Sequence, residues 1–150
     1  MPCEAIHQGY TLSDNPERLD VDAVHAYLTR SYWSPGIPRD VVARALAHSL
    51  CVGIYDSGGG QVGLLRVITD FATFAYYCDV YVLEDHRGRG LAKAGVKFLG
   101  DHPRLQNLRA IRLVTKDAHT LYQQFGFTAI KDAPNHLEKR DPDVYRRGLI

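Results

Sequence analysis

Along the chain, apolar positions first recur at helical spacing after "LSDNPERLD". Val21, Val24, Tyr27 and Leu28 share one face there, and Asp20 is placed to cap the helix. The pattern breaks at "SYWSPGIP" and resumes after Pro38, which suits a first helical turn, with Val41, Val42, Ala45, Leu46 and Ser49 on one broad face. Two short helices thus precede any long strand. "LCVGIYD" and "QVGLLRVITD" are β-rich runs joined by "SGGG", which predicts an antiparallel hairpin. "TFAYYCDVYVL" predicts a further strand, interrupted by one carboxylate, Asp79. From Leu91 the period changes: Leu91, Ala94, Gly95, Phe98 and Leu99 form the face of an amphipathic helix. "RAIRLVT" is the next strand, and a helix starting after Thr115 or Asp117, both good caps, should stop at Gly126. "FTAI" and "HLEKR" read as two closing strands.

A strand, a helix and a strand in that order predict a right-handed parallel crossover, hence a mixed α/β chain. Its 150 residues, 45% of them hydrophobic, fit one domain spanning 1–150, and no internal repeat divides it. Lys plus Arg (18) nearly balances Asp plus Glu (17), so net charge gives no general pull toward nucleic acid or anionic membrane. The basic residues of "EKRDPDVYRRGL" are interleaved with acids, which argues against a nucleic-acid partner there too. Cys3, Cys51 and Cys78 are odd in number and scattered, a usage that suits a reducing compartment and offers no zinc spacing, so no metal is expected. "MPCEAIHQGY" lacks the pattern of a secretion signal, and nowhere do eighteen apolar residues run together. A soluble, cytoplasmic protein with no membrane partner is the expectation.

The crossover carries the candidate chemistry at its first turn, "RGRG". A helix N-terminus presents unpaired N–H groups and the positive end of the helix dipole, so a glycine-rich loop feeding one is a ready anion site. Arg87 and Arg89 add charge, while Gly88 and Gly90 clear the way for close backbone approach. The nucleoside-triphosphate loop is excluded because no Gly-Lys pair occurs, and the dinucleotide fingerprint fails because Leu91, Ala92 and Lys93 follow Gly90.

What stands is Arg87-Gly88-Arg89-Gly90-Leu91-Ala92, which resembles the Arg/Gln-x-x-Gly-x-Gly/Ala signature of the GNAT superfamily of acyl-CoA-dependent N-acetyltransferases. "LVTKDAHTLYQQFGF" is similar to that family's second cofactor segment, and the order of elements agrees over almost the whole chain. The resemblance implies a GNAT fold: a mostly antiparallel mixed sheet of about 6–7 strands with a splayed parallel central pair, flanked by about 4 helices. It implies acetyl-CoA as co-substrate, with pyrophosphate at Arg87, Gly88, Arg89, Gly90, Leu91, Ala92 and Lys93 and the pantetheine arm along the backbone of Val80, Tyr81 and Val82. Asp117 stands where the family often has Asn, so a pantetheine contact and a helix cap are both open to it.

The implied reaction is direct attack of an amine of a small molecule or peptide on the acetyl thioester. Tyr122 occupies the position where the resembling family carries a tyrosine near the thioester sulfur, implying a general acid; the alternative is a core tyrosine bridging helix and sheet. Asp79 is the candidate base, against the reading that it sits on a solvated or hydrogen-bonded face, and Asp70 is second. The resemblance makes the link holding Tyr32 and Trp33 a wall of the acceptor pocket, where an aromatic can receive a cationic acceptor; packing of Trp33 onto the sheet is the other reading. A catalytically silent acyl-CoA binder is the alternative function. The C-terminal strands offer an edge for pairing in a homodimer.

Overall fold

The computed structural model describes residues 1–147. It opens on a hairpin that the apolar pattern does not announce: β1 (Glu4–His7) and β2 (Tyr10–Ser13) meet at Gln8 and Gly9, whose φ values of 48° and 84° make a tight turn. α1 (Val21–Leu28) is capped by Asp20, which accepts from Ala23 N–H at 3.0 Å, and α2 (Arg39–Ala47) starts directly after Pro38. β3 (Leu50–Tyr55) and β4 (Gln61–Thr69) form the glycine-turn hairpin. β5 (Phe74–Val82), α3 (Leu91–Gly100), β6 (Ala110–Leu113) and α4 (His119–Gln123) complete the expected crossover and last helix.

The six strands form one sheet in the order β1-β2-β3-β4-β5-β6, antiparallel throughout except for the parallel pair β5–β6. α1 and α2 cover one face, where Val24, Tyr27, Leu28, Val42 and Leu46 pack on Cys51, Leu64 and Tyr81. The other face packs Leu91, Val96 and Leu99 of α3 and Tyr122 of α4 on Val52, Leu65, Val67, Tyr77 and Val82. α3 lies close because residue 95 is glycine: a Cβ there would fall 2.5 Å from Leu65 Cδ1.

Two expectations are corrected. Residues 127–130 and 136–140 form no strands. Phe127 is drawn instead against Tyr77 and Tyr122, each with ring centroids 5.7 Å away, and Leu137 is 95% exposed with nothing to pack on. The N-terminal hairpin supplies two strands at the opposite margin, so the sheet still has six and β5–β6 lies at its edge. α4 is also shorter than its sequence span: Thr115 Oγ1 accepts from Ala118 N–H at 3.0 Å, whereas Asp117 makes no capping bond. The stop at Gly126 forms as predicted, with φ 89°.

Candidate active site

β5 and β6 pair only from Phe74↔Ala110 to Tyr77↔Leu113, so the chain beyond Tyr77 parts from its parallel neighbour. The gap opens into a cleft of about 1310 Å³. Asp79, Val80, Tyr81 and Val82 line it from β5, Gly88, Gly90, Leu91, Ala92 and Lys93 from the loop and α3, and Asp117 and Tyr122 from the β6–α4 side. Tyr32 and Trp33 line it from the α1–α2 link. Of the residues singled out in the sequence, Arg89 and Asp70 are not among the lining groups.

The loop from β5 to α3 is held on several sides. Arg87 Nε donates to Val82 O at 2.9 Å and its terminal nitrogen donates to Tyr27 Oη at 3.1 Å, so this guanidinium fastens the loop to α1. His7 Nε2 and Arg89 O are 2.8 Å apart, and Tyr10 Oη and His86 Nδ1 are 2.7 Å apart, so the N-terminal hairpin buttresses the other side. Gly88 and Gly90 have φ of 79° and 73°, the left-handed region that glycine adopts freely. The first helical bond of α3 runs from Ala94 N–H to Gly90 O, and Gly90 has no side chain to cap the turn. The N–H groups of Leu91, Ala92 and Lys93 precede that bond and lie at the positive end of the helix, beside the cleft.

The side chains of Val80 and Val82 enter the α3 face of the core, and Tyr81 stacks on Tyr27 with ring centroids 4.0 Å apart. What β5 offers the cleft here is therefore largely backbone. Tyr122 is buried with its ring against Phe127, and burial raises its pKa, so the phenol keeps its proton at neutral pH.

Asp79 has φ 50°, at a bulge where β5 gains one residue on β4: Leu64 pairs with Tyr81, yet Arg66 pairs with Cys78. Aspartate tolerates this conformation better than most side chains, at a cost on the order of 1 kcal/mol. Without the bulge, the alternation through Ala75 and Tyr77 would carry position 79 into the α3-side core; with it, the carboxylate reaches the other face. There Arg66 Nε donates to Asp79 Oδ2 at 2.7 Å and Trp33 Nε1 donates to Oδ1 at 2.8 Å. Asp79 is thus held at both oxygens, and Asp70 is consumed in its own loop by Ala72, Thr73 and Phe74. Trp33 both packs against Tyr27 and Tyr32 and lines the cleft.

Four side chains of this region had no role expected from the sequence. Arg66 carries a signal in hindsight, being a cation inside an apolar strand opposite a strand with a lone carboxylate. Lys116, whose Nζ lies 5.2 Å from the Tyr32 ring centroid, and Glu138 with Arg140, which line the cleft, carry none, because only the folded course of the chain brings them there.

The family model for the acetyltransferase (GNAT) domain matches residues 47–129. A Gibberella zeae protein named "Putative acetyltransferase FG08082" is 35% identical over 75% of this chain and 75% of its own length. The chain belongs to the GNAT acetyltransferase family. A solved GNAT-family structure from Xanthomonas campestris is 41% identical, with a TM-score of 0.89 over 93% of this chain and 99% of that one. A Clostridium acetobutylicum structure, described as an acetyltransferase with acetyl-CoA, shares the GNAT fold at 18% identity, with a TM-score of 0.63 over 87% of this chain and 94% of that one. The GNAT match spans both motifs, "RGRGLA" and the segment ending at Gly126-Phe127.

Proposed function

We propose that the protein transfers an acetyl group from acetyl-CoA to a primary amine of a small molecule or peptide by direct attack on the thioester. One observation carries this reading. The uncapped start of α3, the free backbone margin of β5 and the Tyr122 phenol face one cleft, in the arrangement an acyl-CoA needs for its pyrophosphate, pantetheine arm and departing sulfur. The use of acetyl-CoA in the family, and the description of the Clostridium neighbour as holding it, support the choice of donor.

The pyrophosphate is assigned to the N–H groups of residues 91–93 and to Gly88 and Gly90. Arg87 serves here by fastening the loop, and Arg89 supplies charge from outside the cleft. An alkylamine has a pKa of about 10.4, so roughly one molecule in a few thousand is neutral at pH 7. The proton leaves through water in the open cleft, since Asp79 is already committed to Arg66 and Trp33. The neutral nitrogen forms its bond to the carbonyl carbon, the C–S bond breaks, and Tyr122 protonates the thiolate. From a phenol near 10 to a thiol near 8.5 that transfer is uphill by about 2 kcal/mol, and somewhat more with the burial of Tyr122.

Tyr122→Phe keeps the ring and its packing and removes only the hydroxyl. The expected result is a fall in kcat of at least about tenfold with little change in CoA affinity or Tm. A kcat within about twofold of wild type, with chemistry rate-limiting, would remove Tyr122 from the mechanism. CoA binding without thiol release across an amine panel would instead favour the silent acyl-CoA binder.

A further inference from the structure

Arg66 sits on the α1–α2 face of the sheet between two cysteines, paired laterally with Cys51 on β3 and Cys78 on β5. Burial pushes both thiols up, to about 12 and about 11, so neither offers a thiolate to balance the guanidinium at neutral pH. Asp79 is the carboxylate that does so, and the two side chains are only 16% and 9% exposed. The contact extends both ways. Arg66 Nη1 donates to Ser49 Oγ at 3.0 Å, and that hydroxyl donates to Ala45 O at 2.7 Å in the last turn of α2. On the other side, Asp79 Oδ1 accepts from Trp33.

We propose that Arg66 is a positioning residue that locks the β5 bulge and the Trp33 wall into one unit, so that acceptor and thioester are presented to each other in fixed register. The proposal rests on the transferase reading for its consequence in turnover, and on geometry alone for the unit itself. Asp79 is held in a left-handed conformation, and the next three residues are those whose backbone borders the cleft. The group that restrains Asp79 therefore sets the direction of that backbone. Because the same carboxylate holds Trp33, the acceptor wall cannot shift without loosening the bulge. Arg66 is suited to this because its planar fork reaches Asp79 and Ser49 at once, which a lysine ammonium cannot reproduce.

Trp33 is the chain's one tryptophan, so its emission reports the contact directly. The experiment compares wild type, Arg66→Met, Arg66→Lys, Asp79→Asn and the double variant Arg66→Met/Asp79→Asn. It measures Trp33 emission, CoA affinity, and thiol release from acetyl-CoA with the best acceptor from a panel of small primary amines and short peptides. Expected are a red-shifted Trp33 emission in Arg66→Met and at least a tenfold loss in acceptor kcat/KM. CoA affinity should fall by less than the acceptor kcat/KM, because the start of α3 still holds the pyrophosphate, and the pH–rate profile should keep its shape. Arg66→Lys should recover only part of the loss. The double variant removes the uncompensated buried charge, so it should regain wild-type Tm yet be no less impaired than either single variant, as members of one unit behave. Unchanged Trp33 emission in Arg66→Met, or a double variant with wild-type kcat/KM, would overturn the proposal. Absence of thiol release by wild type would sink the transferase reading alone, since the emission measurement needs no turnover.

Discussion

The Tyr55 hydroxyl is fully buried without a hydrogen-bond partner among the described residues, and burial pushes its pKa up to about 12. The ring is better placed than the hydroxyl: Arg18 lies 4.3 Å from its centroid, and the phenol end rests over Gly53, where a Cβ would fall 2.2 Å from the oxygen. A buried donor left unmade costs about 1–3 kcal/mol. Tyr55→Phe is therefore expected to raise stability by about 1 kcal/mol, seen as a Tm increase of about 2–4 °C; a decrease would mean that the hydroxyl has a partner. No sequence pattern announces this, because "GIY" reads simply as strand. Asp79 is the contrasting residue. Its oddness in an apolar strand was plain, but its role turned on a bulge that transfers it from one face of the sheet to the other.

α3 was legible as an element because its apolar stripe runs unbroken from Leu91 to Leu99 and "RGRG" fixes its start. Its closeness to β4 was not, since Gly95 reads in a helix merely as a weak former. Gly95→Ala should gain up to about 1 kcal/mol in helix propensity, but its Cβ would meet the buried Leu65 at 2.5 Å. Overpacking of this kind costs about 1–3 kcal/mol, so the expected net change is destabilisation by about 1–2 kcal/mol in urea unfolding. A more stable variant would show that Leu65 can rotate away. The strands at the two ends of the chain misled the reading in opposite directions. Four-residue β1 and β2 are too short to display alternation, yet a two-residue turn and pairing with β3 secure them. "FTAI" has strand character, but Phe127 finds a better site against Tyr77 and Tyr122.

At the scale of the whole molecule, the buried acids set the response to alkali. Burial raises Tyr77 to about 12, Tyr55 to about 12, Cys51 to about 12 and Cys78 to about 11. Unfolded, thiols lose their protons near 8.5 and phenols near 10. Between those values and the folded ones the native state binds more protons, so stability falls as pH rises. The contribution is fully present below about pH 8.5 and is lost progressively toward pH 12. The urea midpoint should be lower at pH 10.5 than at 7.5, with a shallower fall in Tyr77→Phe; a flat profile would contradict the burial of these groups. The sequence alone determined the family resemblance, the helices, the glycine hairpin and the glycine-rich start of α3, because each rests on local periodicity or on backbone freedom that a few adjacent residues specify. Only the tertiary structure decided that β5 and β6 part after Tyr77, that a bulge joins Asp79 to Arg66 and Trp33, and that residues 127–140 form no strand. Those outcomes depend on competition between distant segments for one sheet edge and one buried charge, which no short window of sequence contains.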